Sequence, residues 1–279
     1  MNNHSRIPVA DGVTLNTTIQ GSGSPVILLH GFPQTHLMWR HVAADLSADH
    51  TVICPDLRGY GDSDKPDSGY DKRTMAADIV ELARKLGFSR FALAGHDRGA
   101  LVAFRAGLDH PDKITHLGIL DGMSTYDTWD VLHGVSASVA FHLYLMAQPV
   151  GLPEKMIGAV PDEFFGYFLD AWSQQPFPPD VRAAYLRASR AAVPSIVADF
   201  RATATADVEQ DTADFEAGRR FAMPVSVVHQ DWGSVLGFDP RARWERWAPQ
   251  LTYTTVTSGH FMAEEAPAEV IKALRDLLD

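Results

Sequence analysis

The chemistry of this chain is concentrated in "GHDRG", Gly95 to Gly99, which joins the strand-like run "RFALAG" to the helix-like run "ALVAFRAGL". A Gly-x-x-x-Gly turn between a strand and a helix presents its central side chain as an exposed nucleophile. The central residue is Asp97, a carboxylate where acyl-transfer enzymes hold serine. Attack by a carboxylate on a carboxylic ester would give an unstable anhydride. Attack on a saturated carbon bearing a leaving group gives an ordinary ester, which is covalent catalysis by aspartate. A second step must then free that ester. It needs a histidine to deprotonate water, an acid to orient the histidine, and two backbone N–H groups for the oxyanion. His260, after "LTYTTVTSG", supplies the histidine. Asp121, after "LGIL", supplies the acid, with Asp231, after "VVHQ", as its competitor. The oxyanion donors would be the N–H of Arg98, next to the nucleophile, and the N–H of Phe32, after the early strand "VILLH". Saturated carbons with suitable leaving groups are alkyl halides and haloacids on one side, epoxides on the other. The elbow alone leaves that choice open.

These residues need a scaffold that brings strand ends together. The first half alternates strand-like runs ("VTLNTTIQ", "VILLH", "TVICP", "RFALAG", "KITHLGILD") with helix-like runs ("LMWRHVAADLSA", "RTMAADIVELARKLG"). Such alternation predicts a mostly parallel sheet with helices on both faces, whose functional groups gather at the carboxyl ends of the strands. From Gly122 to about Arg220 the pattern turns helical, punctuated by Pro149, Pro153, Pro161 and "QQPFPPD". It then resumes with "PVSVVHQ", "RARWERWA", "LTYTTVT" and "EEAPAEVIKALRDLL". The expected organisation is an α/β core of residues 1–122 and 221–279 with a helical cap, residues 123–220, inserted between its halves.

Composition narrows the partners. The chain has 279 residues and a formal net charge of −11. That charge disfavours nucleic acid and anionic membranes and leaves a small-molecule substrate as the expected partner. The single cysteine, Cys54, rules out an internal disulfide and reads as a core thiol. With no apolar leader in "MNNHSRIPVADG" and no apolar run of membrane-spanning length, the expected location is cytoplasmic. The histidines form no HExxH, and "DLRGYGDSDKPD" lacks EF-hand spacing, so no metal and no cofactor are expected.

The motifs "HGFPQTHLMWR", "PDLRGYGDSDKP", "GHDRGA", "LGILDG", "FHLYLMAQP" and "SGHFMAEEAP" together resemble the fluoroacetate (haloacetate) dehalogenases of the α/β-hydrolase superfamily. The related epoxide hydrolases share much of the set. The order nucleophile, acid, histidine is the α/β-hydrolase order. The resemblance implies the α/β-hydrolase fold, with Asp97 as nucleophile, His260 as base and Asp121 as the acid in preference to Asp231. It also implies that the Arg98 side chain binds a substrate carboxylate and that His142 cradles the departing halide. Trp172 matches a pocket tryptophan, and a homodimer is the assembly that relatives suggest.

Three positions depart from the family pattern. Leu101 stands where a second carboxylate-binding arginine is found, Leu143 where a tryptophan follows the cap histidine, and Thr205 aligns with the cap tyrosine. Fluoride is strongly hydrated and demands several donors on leaving. The reading is therefore hydrolysis of short 2-haloacids, with chloride or bromide preferred to fluoride. The alternative is an epoxide hydrolase, for which Tyr144, Tyr167 or Tyr185 would protonate the opening oxygen. A non-catalytic ligand-binding protein is the remote alternative. Tyr144 joins Leu101 and Leu143 as an expected pocket residue. His30 and His96 read as structural, and Arg58 as a loop brace.

Overall fold

The computed structural model describes residues 3–231 and 237–279. Among them, eight strands form one sheet in the order β1-β2-β4-β3-β5-β6-β7-β8. The strands are β1 (Asn3–Ala10), β2 (Val13–Gly21), β3 (Ser24–Leu29), β4 (His50–Pro55), β5 (Phe91–His96), β6 (Ile114–Leu120), β7 (Val225–His229) and β8 (Leu251–Thr255). The β1–β2 and β2–β4 pairings are antiparallel. From β4 onward through β3, β5, β6, β7 and β8 all pairings are parallel. β1 has no counterpart in the sequence reading: "HSRIPVA" is a half-exposed edge strand whose alternation is weak beside the apolar inner strands.

The inner strands are buried on both faces, and their side chains alternate between two cores. Ile27, Leu29, Ile53 and Leu93 join one apolar cluster, and Val26, Leu28, Val52, Cys54 and Ala92 join the other. This is the period-two rule of a pleated strand acting on a sheet covered twice. The first cluster takes in Met75 and Ile79 of α2 (Lys72–Lys85) and Val102 and Phe104 of α3 (Arg98–Asp109). The second takes in Val42 and Leu46 of α1 (Arg40–Leu46) and Val270 and Leu274 of a C-terminal helix, Pro267–Leu278. α2 begins where the Asp71 carboxylate accepts from the Thr74 N–H at 3.0 Å and ends before Gly87, whose φ of 87° suits a left-handed C-terminal stop.

Between β6 and β7 the chain is helical. In order come α4 (Thr125–Val131), α5 (Phe141–Met146), α6 (Leu152–Ala159), α7 (Pro161–Ala171), α8 (Pro179–Arg190), α9 (Val193–Thr203) and α10 (Ala206–Glu216). Four prolines of this segment start helices: Pro153, Pro161, Pro179 and Pro194 sit in first turns, where the missing N–H costs nothing, while Pro149, Pro176 and Pro178 lie in the connections between helices. After β7 follow α11 (Pro240–Glu245), α12 (Met262–Glu265) and α13, the C-terminal helix already named. No described helix is long and apolar enough to cross a membrane.

The β5–α3 junction is the tightest point of the scaffold. A Cβ on Gly99 would lie 2.5 Å from both the Leu29 and His30 carbonyl oxygens, closer than packing allows. Glycine there lets α3 start directly against β3. Gly99→Ala should therefore lower the melting temperature by several degrees, since overpacking of this kind costs about 1–3 kcal/mol. Differential scanning calorimetry of the variant checks this; an unchanged melting temperature would contradict it.

Candidate active site

Asp97 sits at the reversal between β5 and α3 with φ 50° and ψ −112°, a positive φ that non-glycine residues rarely adopt. The strained turn lifts the carboxylate off the sheet. Its Oδ1 accepts from the Phe32 N–H at 2.6 Å. Burial raises the Asp97 pKa above the ordinary carboxylate value. The His260 and Arg98 charges and the Phe32 and Arg98 backbone N–H groups oppose that rise without cancelling it. Both expected oxyanion donors thus already act on this carboxylate.

His260 follows β8, and its N–H donates to the Trp172 carbonyl at 2.8 Å. Its Nδ1 lies 2.6 Å from Asp121 Oδ2, and its Nε2 lies 3.9 Å from Asp97 Oδ2, too far for a direct hydrogen bond. That Nε2 is buried with no hydrogen-bond partner among the described residues. Burial lowers the imidazole pKa, but the Asp121 hydrogen bond and charge, with help from Asp97, outweigh it and hold His260 above its ordinary value. The acid in contact with His260 is Asp121; the competing Asp231 is exposed. Asp121 also takes the Gln230 side-chain N–H at 2.7 Å, and His229 Nδ1 lies 3.2 Å from its other oxygen.

The cavity above Asp97 measures about 150 Å³, below the roughly 300–1,000 Å³ of drug-sized ligand sites. Its walls include Asp97, Arg98, Leu101, Asp121, His142, Leu143, Trp172 and His260, so these sequence-predicted residues meet in one place. His142 stands over Phe32, the two rings stacked at 6.0 Å. Burial, reinforced by the Arg98 and His260 charges, pulls its pKa down to about 3, so the ring is neutral near pH 7. Trp172 packs edge-on against both His142 and His260.

Three expectations need correction. The Arg98 guanidinium does not stand free for a ligand. Its Nε and Nη2 donate to Asp199 of α9 at 2.8 and 2.9 Å, and Nη2 also donates to the Asp199 carbonyl. Burial works against the charged form of Arg98, yet Asp199 raises its pKa above the ordinary value. Tyr144 is outside the cavity wall: its hydroxyl donates to the Leu132 carbonyl, and its ring faces Trp129. Thr205 is exposed at the start of α10 and hydrogen-bonds backward to Arg201 and Ala202. The side chain that faces His142 from this part of the cap is Phe200, at 5.5 Å, and it carries no hydroxyl. The other two tyrosines are placed elsewhere too. Tyr167 is exposed beside Phe141, and Tyr185 donates to Glu264.

Several contributors were missed. His229 ends β7 and lines the cavity; the strand-end rule could have flagged it. Asp199 and Phe200 carry no local signal, because a mid-helix "DF" gains its role only when α9 lands on the elbow. The residues read as structural have matching surroundings. His30 Nε2 accepts from the Leu57 N–H, and His96 Nε2 meets the His260 carbonyl. Arg58 grips Asp78 through two nitrogens. Burial pushes the Cys54 thiol up to about 12, which keeps it unreactive.

A parallel sheet carrying a strand–elbow–helix nucleophile, an acid after the next strand and a late histidine defines an α/β-hydrolase. Residues 24–141 match the family model described as alpha/beta hydrolase fold. Fluoroacetate dehalogenase of a Burkholderia species is 38% identical over 277 residues, covering 95% of this chain and 90% of that protein. Soluble epoxide hydrolase of a Corynebacterium strain is 32% identical over 270 residues, covering 94% and 92%. The solved structure of a variant of a candidate epoxide hydrolase from Pseudomonas aeruginosa superposes with a TM-score of 0.95 at 37% identity, covering 99% and 95%. The chain belongs to the α/β-hydrolase superfamily, on the branch that holds fluoroacetate dehalogenase and the soluble epoxide hydrolases, and it is a hydrolase.

The His260 environment makes a direct prediction. In a histidine NMR titration, its midpoint should lie above the ordinary imidazole value of 6.5. In Asp121→Asn, the hydrogen bond to a charge is gone and burial remains, so the midpoint should fall by about one unit or more. A midpoint that stays put would remove Asp121 from its place as the acid.

Proposed function

We propose that this hydrolase cleaves carbon–halogen bonds through an ester on Asp97. Oδ2, the oxygen facing His260, attacks the halogen-bearing carbon from behind; the C–O bond forms as the C–X bond breaks, and the halide leaves with the bonding pair. The ester carbonyl is then Oδ1, within reach of the Phe32 and Arg98 N–H groups. His260 Nε2 takes a proton from water, and the hydroxide adds to the Asp97 carbonyl carbon. Collapse expels the alkoxide, which takes the proton back from the imidazolium and leaves as the alcohol. Asp97, left as the carboxylic acid, then gives up its proton to solvent, so that each turnover releases one proton with the halide and the carboxylate is restored. Asp121 holds the imidazole in the Nδ1–H tautomer and stabilises its charged form.

The observation carrying dehalogenation over epoxide opening is the set of side chains around the cavity. Among its described lining residues there is a neutral histidine, His142, and no tyrosine. An opening epoxide develops a basic alkoxide that requires a proton donor. A halide leaves as a stable anion that needs only weak donors, and the His142 N–H is one. The relatives point to short 2-haloacids as the substrate class. With Phe200 facing His142, few donors remain for fluoride. Each missing one costs about 1–3 kcal/mol, so chloroacetate should outrun fluoroacetate.

Single-turnover hydrolysis of chloroacetate in heavy-oxygen water should place label in the Asp97 carboxylate, read by peptide mass spectrometry. Asp97→Asn should lose activity by about 10³-fold or more. Label found only in the alcohol product from the first turnover would refute the ester. Diol formation from styrene oxide with no halide release from chloroacetate would favour the epoxide reading instead.

A further inference from the structure

The buried ionic network behind the elbow bears on which halogenated compounds fit. Asp199 lies wholly buried, and its carboxylate serves three partners at once. It takes the Arg98 fork, the Lys72 ammonium of α2, and the Tyr60 hydroxyl at 2.5 Å. Asp207 of α10 adds a second carboxylate, 3.3 Å from Lys72 Nζ and 2.7 Å from the Lys72 N–H. Two buried cations, Arg98 and Lys72, therefore face two buried carboxylates, Asp199 and Asp207. The positive charge near the cavity is matched inside the protein before any ligand arrives. The flat face of the guanidinium is covered as well, by the Phe200 ring 4.1 Å away.

The cavity sees only what remains. Arg98 is the one arginine or lysine among its described lining residues. Nη1 is the guanidinium nitrogen outside the Asp199 pairing. One turn further along α3 the wall is Leu101, and Met123, Leu132, Val139 and Leu143 continue it. On the acidic side stand Asp97 and Asp121. A substrate carboxylate would enter an apolar chamber beside the anionic nucleophile, with one nitrogen to meet it. Burying a charge without a dedicated counter-charge is strongly unfavourable.

We infer that the site is built for uncharged halogenated substrates, short haloalkyl amides, alcohols or alkanes, in preference to haloacids, because Asp199 occupies the arginine fork that would bind a substrate carboxylate. This rests on the dehalogenation reading above and refines it. Arg98 then acts through its backbone N–H on the nucleophile and through a side chain that anchors α9. Nη1 is left to meet a neutral carbonyl or hydroxyl oxygen, for which one charge-assisted hydrogen bond suffices.

Bromoacetamide and bromoacetate form the test pair, since they match in size and leaving group and differ in charge. Bromide release is measured for each, with Asp97→Asn as the background. The expected result is a kcat/KM for bromoacetamide about tenfold or more above that for bromoacetate. Equal values, or a preference for bromoacetate, would overturn the inference while leaving dehalogenation standing. Release from neither would overturn the dehalogenation reading and this inference with it. Leu101→Arg, which adds a cation to the wall without touching the network, should swing the ratio toward bromoacetate by about tenfold; a folded variant with an unchanged ratio counts against the inference. Asp199→Asn should swing it the same way by freeing the fork, and Leu101→Arg decides the matter if that variant fails to fold.

Discussion

The reversal of the backbone at Asp97 is the constraint on which the rest of the site depends. A strand buried on both faces must end, and a helix must begin within one residue while packed against β3. A positive φ at Asp97, with Gly95 and Gly99 two positions away on each side allowing close backbone contact, satisfies both. The consequence is electrostatic as much as geometric. The first N–H groups of α3 and the N–H of Phe32 converge where the carboxylate emerges, so the fold supplies positive dipoles at one point. A second positive φ, at Asp121, turns the next strand end toward His260. The two strained aspartates are held by the same sheet, with β5 and β6 as neighbours, and their spacing is therefore rigid.

Around these groups, charge is handled by pairing rather than by solvent. Asp121 is wrapped by nitrogens from Gln230, His229 and His260, and its hydrogen bond and charge hold His260 above the ordinary imidazole value against the cost of burial. Burial, helped by the His260 charge, drives His142 and His96 neutral, and at His96 the Asp121 charge opposes this without reversing it. Of three histidines within one small volume, one is thus held basic and two neutral by their surroundings. The elbow arginine is treated like a core residue: it is neutralised by Asp199 and covered by Phe200. Buried pairs of this sort add little net stability, but losing one member leaves a stranded charge.

Much of this is legible in the sequence, for identifiable reasons. The βα alternation survives as apolar runs because inner parallel strands have no polar face. The elbow, Asp121 and His260 are visible because each lies at the end of such a run, and the carboxyl ends of parallel strands share one edge of the sheet. The cap resists the same reading. Tyr144 and Thr205 are near the right helices but point elsewhere, and one residue of helical rotation separates Tyr144 from Leu143, which does line the cavity. Asp199 is beyond sequence inference because its partners Arg98, Lys72 and Tyr60 are all about a hundred residues or more away. β1 is missed for the opposite reason, since an edge strand needs no apolar signature.

The anchoring of α9 divides the inserted helices into two territories with different tolerance of substitution. α9 and α10 are moored to the core through Asp199, Asp207, and the Arg105 contacts to Asp211 and Asp214. A substitution there strands a charge, and a replacement helix would have to carry its own counter-ions. Among the described residues, the stretch around α5 and α6 makes no ion pair with the core and is tied instead to α9, through Arg201 and Glu154. It exposes Val135, Phe141, Val150 and Leu152 while contributing Val139, His142 and Leu143 to the cavity. Substitutions in that half can reshape the chamber and leave the geometry at Asp97 intact. Changes of chamber shape are therefore borne most cheaply by α5 and its flanks, where no buried charge is stranded.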